Sequence, residues 1–145
     1  MDNAIFVDTW GWLTLRDKRE KYHTEVSKIF NNYISSNNLI YTTDYVPDET
    51  FTLFFKRLSS FQSQNSADLI LKAAYAGEIQ SEWITPERFY MTCEFRRKFQ
   101  DKPSISFTDL SSMAVMQELG IQHILTGDAH FTHVNLGFAV IPDSY

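Results

Sequence analysis

"ILTGDAHF", Ile124 to Phe131, decides how this chain is read. A short apolar run, Ile124-Leu125-Thr126, stops at Gly127 and hands over to a carboxylate, Asp128. The same arrangement stands near the start, where Ala4-Ile5-Phe6-Val7 runs into Asp8. Short apolar runs with β-branched residues are the pattern of buried strands. A carboxylate at the edge of a core is costly to desolvate unless something compensates it. Two strands that each end on an aspartate therefore ask for a shared partner.

Working outward, the spacing predicts a helix over "REKYHTEVSKIFNNYISSNN", with Tyr22, Val26, Ile29, Phe30 and Tyr33 on one face. The Ser35-Ser36-Asn37-Asn38 cluster ends it, and "LIYTT", Leu39 to Thr43, follows as a second strand. Asp44 to Ser59 reads as a helix, with Pro47 tolerated in the first turn. Ser66 to Ala76 is another, closed by Gly77. "EIQSEWI" is a polar third strand, and Thr85-Pro86 supplies the N-cap and first residue of the next helix. Asp109 to Leu119 is helical with Leu110, Met113, Ala114 and Met116 on its apolar side, and Gly120 caps its end. Ile121 to Thr126 and Phe138 to Ile141 are the last strands. Alternating strands and helices of this length imply α/β architecture: a three-layer α/β/α sandwich around a mainly parallel sheet of four to five strands.

The chain's 145 residues suit one domain, 1–145, and 43% hydrophobic with 15% aromatic residues describe a packed protein. No apolar stretch approaches the roughly 20 residues of a membrane span, and no signal-peptide pattern opens the chain. Cys93 is the only cysteine, which excludes an internal disulfide and fits the cytoplasm. A net charge of −5 argues mildly against broad electrostatic binding of nucleic acid. It says less if several acids are gathered around a cation.

In open parallel sheets, sites form beyond the carboxyl ends of the strands. Asp8 and Asp128 occupy such ends. An acid from the helix after "LIYTT" (Asp44, Asp48 or Glu49) and Asp109, which opens the helix before "IQHILT", are placed to join them. Four converging carboxylates repel one another, and a hard divalent cation removes that penalty. The expectation is a Mg²⁺ or Mn²⁺ site. Each acid has an ordinary alternative. Ser106-x-x-Asp109 is a capping-box pattern, Asp8 and Asp128 can cap turns, and Glu49 can face a helix dipole.

"FVDTWGW", "TTDYVPDETFTLFFKR", "SFTDLSSMAVMQELGI" and "ILTGDAHFTHVNLGFAVI" resemble, in order and spacing, the four acidic motifs of PIN-domain nucleases, above all the VapC-type ribonuclease toxins of toxin–antitoxin pairs. The resemblance covers nearly the whole chain. It implies that Asp8, Glu49, Asp109 and Asp128 are the catalytic, metal-binding set, and that Thr126 helps to orient the last acid. "VPDET" departs from the family by placing a proline and an extra acid before Glu49. The resemblance further implies an RNA substrate, a homodimer and a small antitoxin partner. Metal-activated water would attack the phosphodiester, because no Ser-His-Asp or Cys-His arrangement offers a covalent route.

Other residues carry weaker signals. His130 is a candidate phosphate contact beside Asp128; with His133 it forms a pair at helical spacing, but no cysteine or third histidine lies near to complete a zinc site. Arg96 and Arg97 in "FRRKFQDK" are candidate RNA contacts or a solvated helix end. Trp10 and Trp12 read as packing, with base stacking the alternative, and Phe51, Phe54 and Phe55 exceed what one helix face buries. A dehalogenase-like phosphatase would need an acid at Trp10, and a receiver module an acidic pair where Thr9 stands. A PIN fold that binds without cutting is the remaining alternative.

Overall fold

The computed structural model describes residues 3–142. Five parallel strands form one sheet in the order β3-β2-β1-β4-β5. They are β1 (Ala4–Val7), β2 (Leu39–Thr43), β3 (Gln80–Glu82), β4 (His123–Leu125) and β5 (Ala139–Ile141). The helices in the connections are α1 (Thr9–Arg16), α2 (His23–Ser35), α3 (Tyr45–Arg57), α4 (Ser60–Tyr75), α5 (Pro86–Lys98), α6 (Phe107–Leu119) and α7 (His130–His133). Parallel strands need such crossovers, and the helices that make them cover the sheet. Every residue of the central strand β1 is accordingly buried. The expected α/β architecture with a parallel sheet is therefore what the chain adopts.

The strand order places the site. From β1 the chain passes to β2 on one side, and it later returns to add β4 on the other. A crevice opens beyond the carboxyl ends of neighbouring strands at such a switch. Val7 pairs with Leu125, so Asp8 stands level with Thr126. This answers why both apolar runs end on an aspartate: the two ends are side by side.

Several elements depart from the sequence reading, among them α1, α4 and α7. Helix α1 has no counterpart in the sequence reading, which assigns no element between Asp8 and Arg19. Gly11 is a contact residue. A Cβ there would lie 2.6 Å from the Leu125 carbonyl oxygen and 2.7 Å from Val7 Cγ1, so glycine lets α1 lie against the ends of β1 and β4. Helix α4 begins at Ser60, where the Ser59 hydroxyl accepts a hydrogen bond from Gln62 N, rather than at Ser66. Its polar first turns hid it. The Thr85-Pro86 start of α5 and the left-handed Gly120 cap of α6 are as expected. In α6 every residue from Leu110 to Met116 is buried, which fixes this helix and the acid just ahead of that stretch.

Candidate metal-binding active site

Asp8 caps α1: its Oδ1 accepts a hydrogen bond from Gly11 N at 3.0 Å. Its Oδ2 accepts one from the Thr126 hydroxyl. Thr126 Oγ1 in turn accepts from Asp128 N at 3.0 Å. Thr126 thus joins the ends of β1 and β4, and its proton goes to the first acid while its oxygen steadies the backbone of the last. Asp109 stands third in α6, and its own N–H donates to the Ser106 hydroxyl at 3.0 Å. The capping interaction is therefore present, but it uses Asp109's backbone and leaves the carboxylate for the site. Asp8, Glu49, Asp109 and Asp128 all line one cavity of about 500 Å³. Among the rival acids, Asp44 accepts a hydrogen bond from Ile84 N at 2.7 Å, and Asp48 faces a neighbouring cleft with Lys56 and Thr108.

The electrostatics describe a site short of positive charge. Burial pushes the Asp8 carboxyl up from 3.8 to about 7, and the Thr126 and Gly11 hydrogen bonds only partly offset it. Asp109 is raised to about 8, first by burial and then by the charges of Asp8 and Asp128. Carboxylates held this close are stabilised by a divalent cation, and their oxygens are the donors that Mg²⁺ and Mn²⁺ prefer. Asp109 and Asp128, whose ligand atoms lie within 4.8 Å of each other, fit such an ion, and Asp8 and Glu49 line the same cavity.

Those shifts have a measurable consequence. Between about pH 4 and 8 the metal-free native state keeps protons that the unfolded chain has released, so its stability falls as pH rises through that window. Metal binding needs the deprotonated carboxylates, so its stabilising effect grows over the same range. Melting in EDTA should occur at lower temperature at pH 8 than at pH 5, and Mn²⁺ should restore more at pH 8. A melting temperature in EDTA that is flat across this range would contradict the charge assignment.

His130 stands closer to the acids than its sequence position suggested. Its Nδ1 lies 3.0 Å from Asp128 Oδ1 and 3.7 Å from Asp109 Oδ2, near enough for an ion pair but off the line of a hydrogen bond. Its Nε2 faces Ser104 Oγ at 3.3 Å. Ligand atoms of Asp109, Asp128 and His130 lie within 4.8 Å of one another. His133 is exposed and outside that group, so among the described residues it does not join His130 in a histidine pair for zinc. Trp10 packs its indole against Gly127, where a Cβ would meet the ring at 2.4 Å, and lies 6.2 Å from the Tyr22 ring. Its packing role holds the turn that carries Asp128.

The basic cluster of α5 is not brought to the acids. The Arg96 guanidinium donates to the carbonyls of Phe99, Lys102 and Ile105 at 2.6–2.8 Å and so closes the loop before α6. Arg97 is exposed and pairs with Glu94 at 2.9 Å. The cavity has two charged members that the sequence reading missed, Glu20 and Arg57. A signal was available: Glu49, Leu53 and Arg57 recur every four residues on α3, which puts them on one stripe.

A family model described as the PIN domain matches residues 5–136, and the chain belongs to that family. This sets aside the phosphatase and receiver alternatives. The chain is 27% identical over 128 residues to the 23S rRNA-specific endonuclease VapC20 of Mycobacterium tuberculosis, covering 88% of this chain and 92% of that one. In structure it is similar to M. tuberculosis VapC20, described as a sarcin–ricin loop cleaving toxin, with a TM-score of 0.76 at 24% identity over 90% of this chain and 95% of that one. It is also similar to VapBC2 from Rickettsia felis, solved bound to a DNA fragment from its promoter, with a TM-score of 0.67 at 14% identity over 94% and 96%. Both likenesses speak to the fold.

Proposed function

We propose that this protein is a metal-dependent endoribonuclease, the toxin of a toxin–antitoxin pair, acting in the cytoplasm on single-stranded or loop RNA. The carrying observation is the convergence of Asp8, Glu49, Asp109 and Asp128, from four separate elements, on one open cavity at the sheet's switch point. Asp8, Asp109 and Asp128 would hold the cation, with Glu49 completing the set from α3. A bound Mg²⁺ or Mn²⁺ neutralises phosphate charge and makes its water a nucleophile near neutral pH. The protein's own contribution is rigidity: Asp8 is tied through both oxygens, and Asp128 is tied through its backbone N–H and through Oδ1, which accepts from His130 N at 2.9 Å. Glu49, more exposed than the others, is placed to orient the attacking water. The sarcin–ricin loop is the substrate to test first, because VapC20 carries that description.

The partner reading has its own support. Trp12, Leu15, Phe30, Leu69 and Ala73 line an apolar cleft of about 300 Å³ among α1, α2 and α4, into which a short antitoxin segment would fit. Phe54 is fully buried, whereas Phe55 and Phe61 are exposed, which leaves apolar surface for that partner or a second copy of this chain. Among the described residues no helix is long and apolar enough to cross a membrane.

Purified protein with Mn²⁺ should cut a sarcin–ricin hairpin, and EDTA should stop it. The products should carry 5′-phosphate and 3′-hydroxyl ends, because water attacks instead of the ribose 2′-OH. Cyclic-phosphate ends, or cleavage that survives EDTA, would overturn the proposal; tight RNA binding without cleavage would point to a PIN fold that binds only.

A further inference from the structure

We propose that Arg57 takes a phosphate of the RNA strand where it leaves the acid cavity, releasing Glu20, and that the strand continues into the adjoining cleft of Arg16, Lys18 and Arg19. The proposal rests on the ribonuclease reading and names the exit path of its substrate. Among the described residues lining the acid cavity, Arg57 is the one basic side chain, set against five carboxylates. It also lines a second cleft, of about 280 Å³, whose charged residues are Arg16, Asp17, Lys18, Arg19 and Arg57. Arg57 is therefore shared by the two spaces, negative on one side and basic on the other.

The local bonding leaves the guanidinium available. Arg57 Nη1 lies 3.4 Å from Glu20 Oε1, and the two side chains are 52% and 28% exposed. An exposed pair at that distance is weak. A phosphate offers a guanidinium two acceptors in matching geometry, a stronger interaction. In the second cleft Asp17 is already engaged by Arg19 through Nε and Nη2, each at 3.0 Å. Arg19 Nη2 also donates to the Arg57 carbonyl at 2.6 Å, which ties the loop after α1 to the end of α3. That anchor uses Arg57's backbone, so truncating the side chain leaves it in place. With a net charge of −5 the protein gains little from general attraction to RNA, and local cations must supply the contact.

The test is fluorescence anisotropy with a short labelled single-stranded RNA and Ca²⁺, read across a salt series, together with steady-state cleavage in Mn²⁺. Arg57→Ala should weaken binding about tenfold and make the log–log salt slope shallower by about 0.7, the value of one phosphate contact on a single strand. KM should rise with kcat little changed. Arg57→Lys should restore the slope, Glu20→Gln should tighten binding, and Lys72→Ala, which removes a charge from an exposed position on α4, should do nothing. If wild type binds and cuts but Arg57→Ala keeps the wild-type slope and KM, the proposal is wrong and the ribonuclease reading stands. If wild type neither binds nor cuts the RNA, both fall.

Discussion

Asp109→Ala should lower the rate of RNA cleavage by at least ~10², because a lost metal ligand removes several kcal/mol of charge stabilisation. The carboxylate is carried on a helix whose next seven residues are all buried, which holds it in place. Asp8→Ala should cost as much, since it removes the acid that Gly11 and Thr126 hold from both sides. The acids act as one unit, and the double variant should be little slower than the worse single one. Stability should move the other way. Asp109 is held up near 8 by burial and by its neighbours' charges, so Asp109→Asn should raise the melting temperature of the metal-free protein at pH 8. Single-turnover cleavage and melting in EDTA read the two effects separately. A variant that loses activity only because it unfolds would refute this assignment.

Gly11→Ala should destabilise the fold by about 2 kcal/mol net. Alanine gains at most about 1 kcal/mol over glycine in a helix, but an inserted methyl that meets backbone costs up to about 3 kcal/mol. Here the methyl would meet the Leu125 carbonyl oxygen at 2.6 Å, and a strand carbonyl cannot rotate away as a flexible side chain can. For a chain of this size the loss corresponds to roughly 4–8 °C in Tm. Pushing α1 off the sheet also moves the Gly11 N–H from Asp8, so metal binding should weaken in parallel. A Gly11→Ala protein that melts like wild type would show that α1 does not press on β4 as described.

The same residue explains what was hard to read. Gly11 in "TWGW" hides the helix, because the reason for a glycine there is a strand more than a hundred residues away. β1, β2 and α6 were legible because their burial writes itself into consecutive or periodic apolar residues. Helix α7 has four residues, too short for any period to register. Within the site, Asp8, Asp109 and Asp128 could be named from strand and helix ends, and the choice of Glu49 over Asp48 came from family resemblance. The fold puts Glu49 on the acid cavity. The role of Arg96 was obscured for the opposite reason: three adjacent basic residues look like a phosphate patch, but loop carbonyls that compete for one of them leave no trace in the sequence.

The central claim is that these carboxylates hold a divalent cation and that the cation serves RNA cleavage. Anomalous diffraction from crystals of the protein soaked in Mn²⁺ tests it most directly. A peak is expected in the cavity bounded by Asp8, Asp109 and Asp128, lost in crystals of the Asp8→Asn, Asp109→Asn double variant. A peak at Asp44 or Asp48 instead, or the same peak in the double variant, would contradict it.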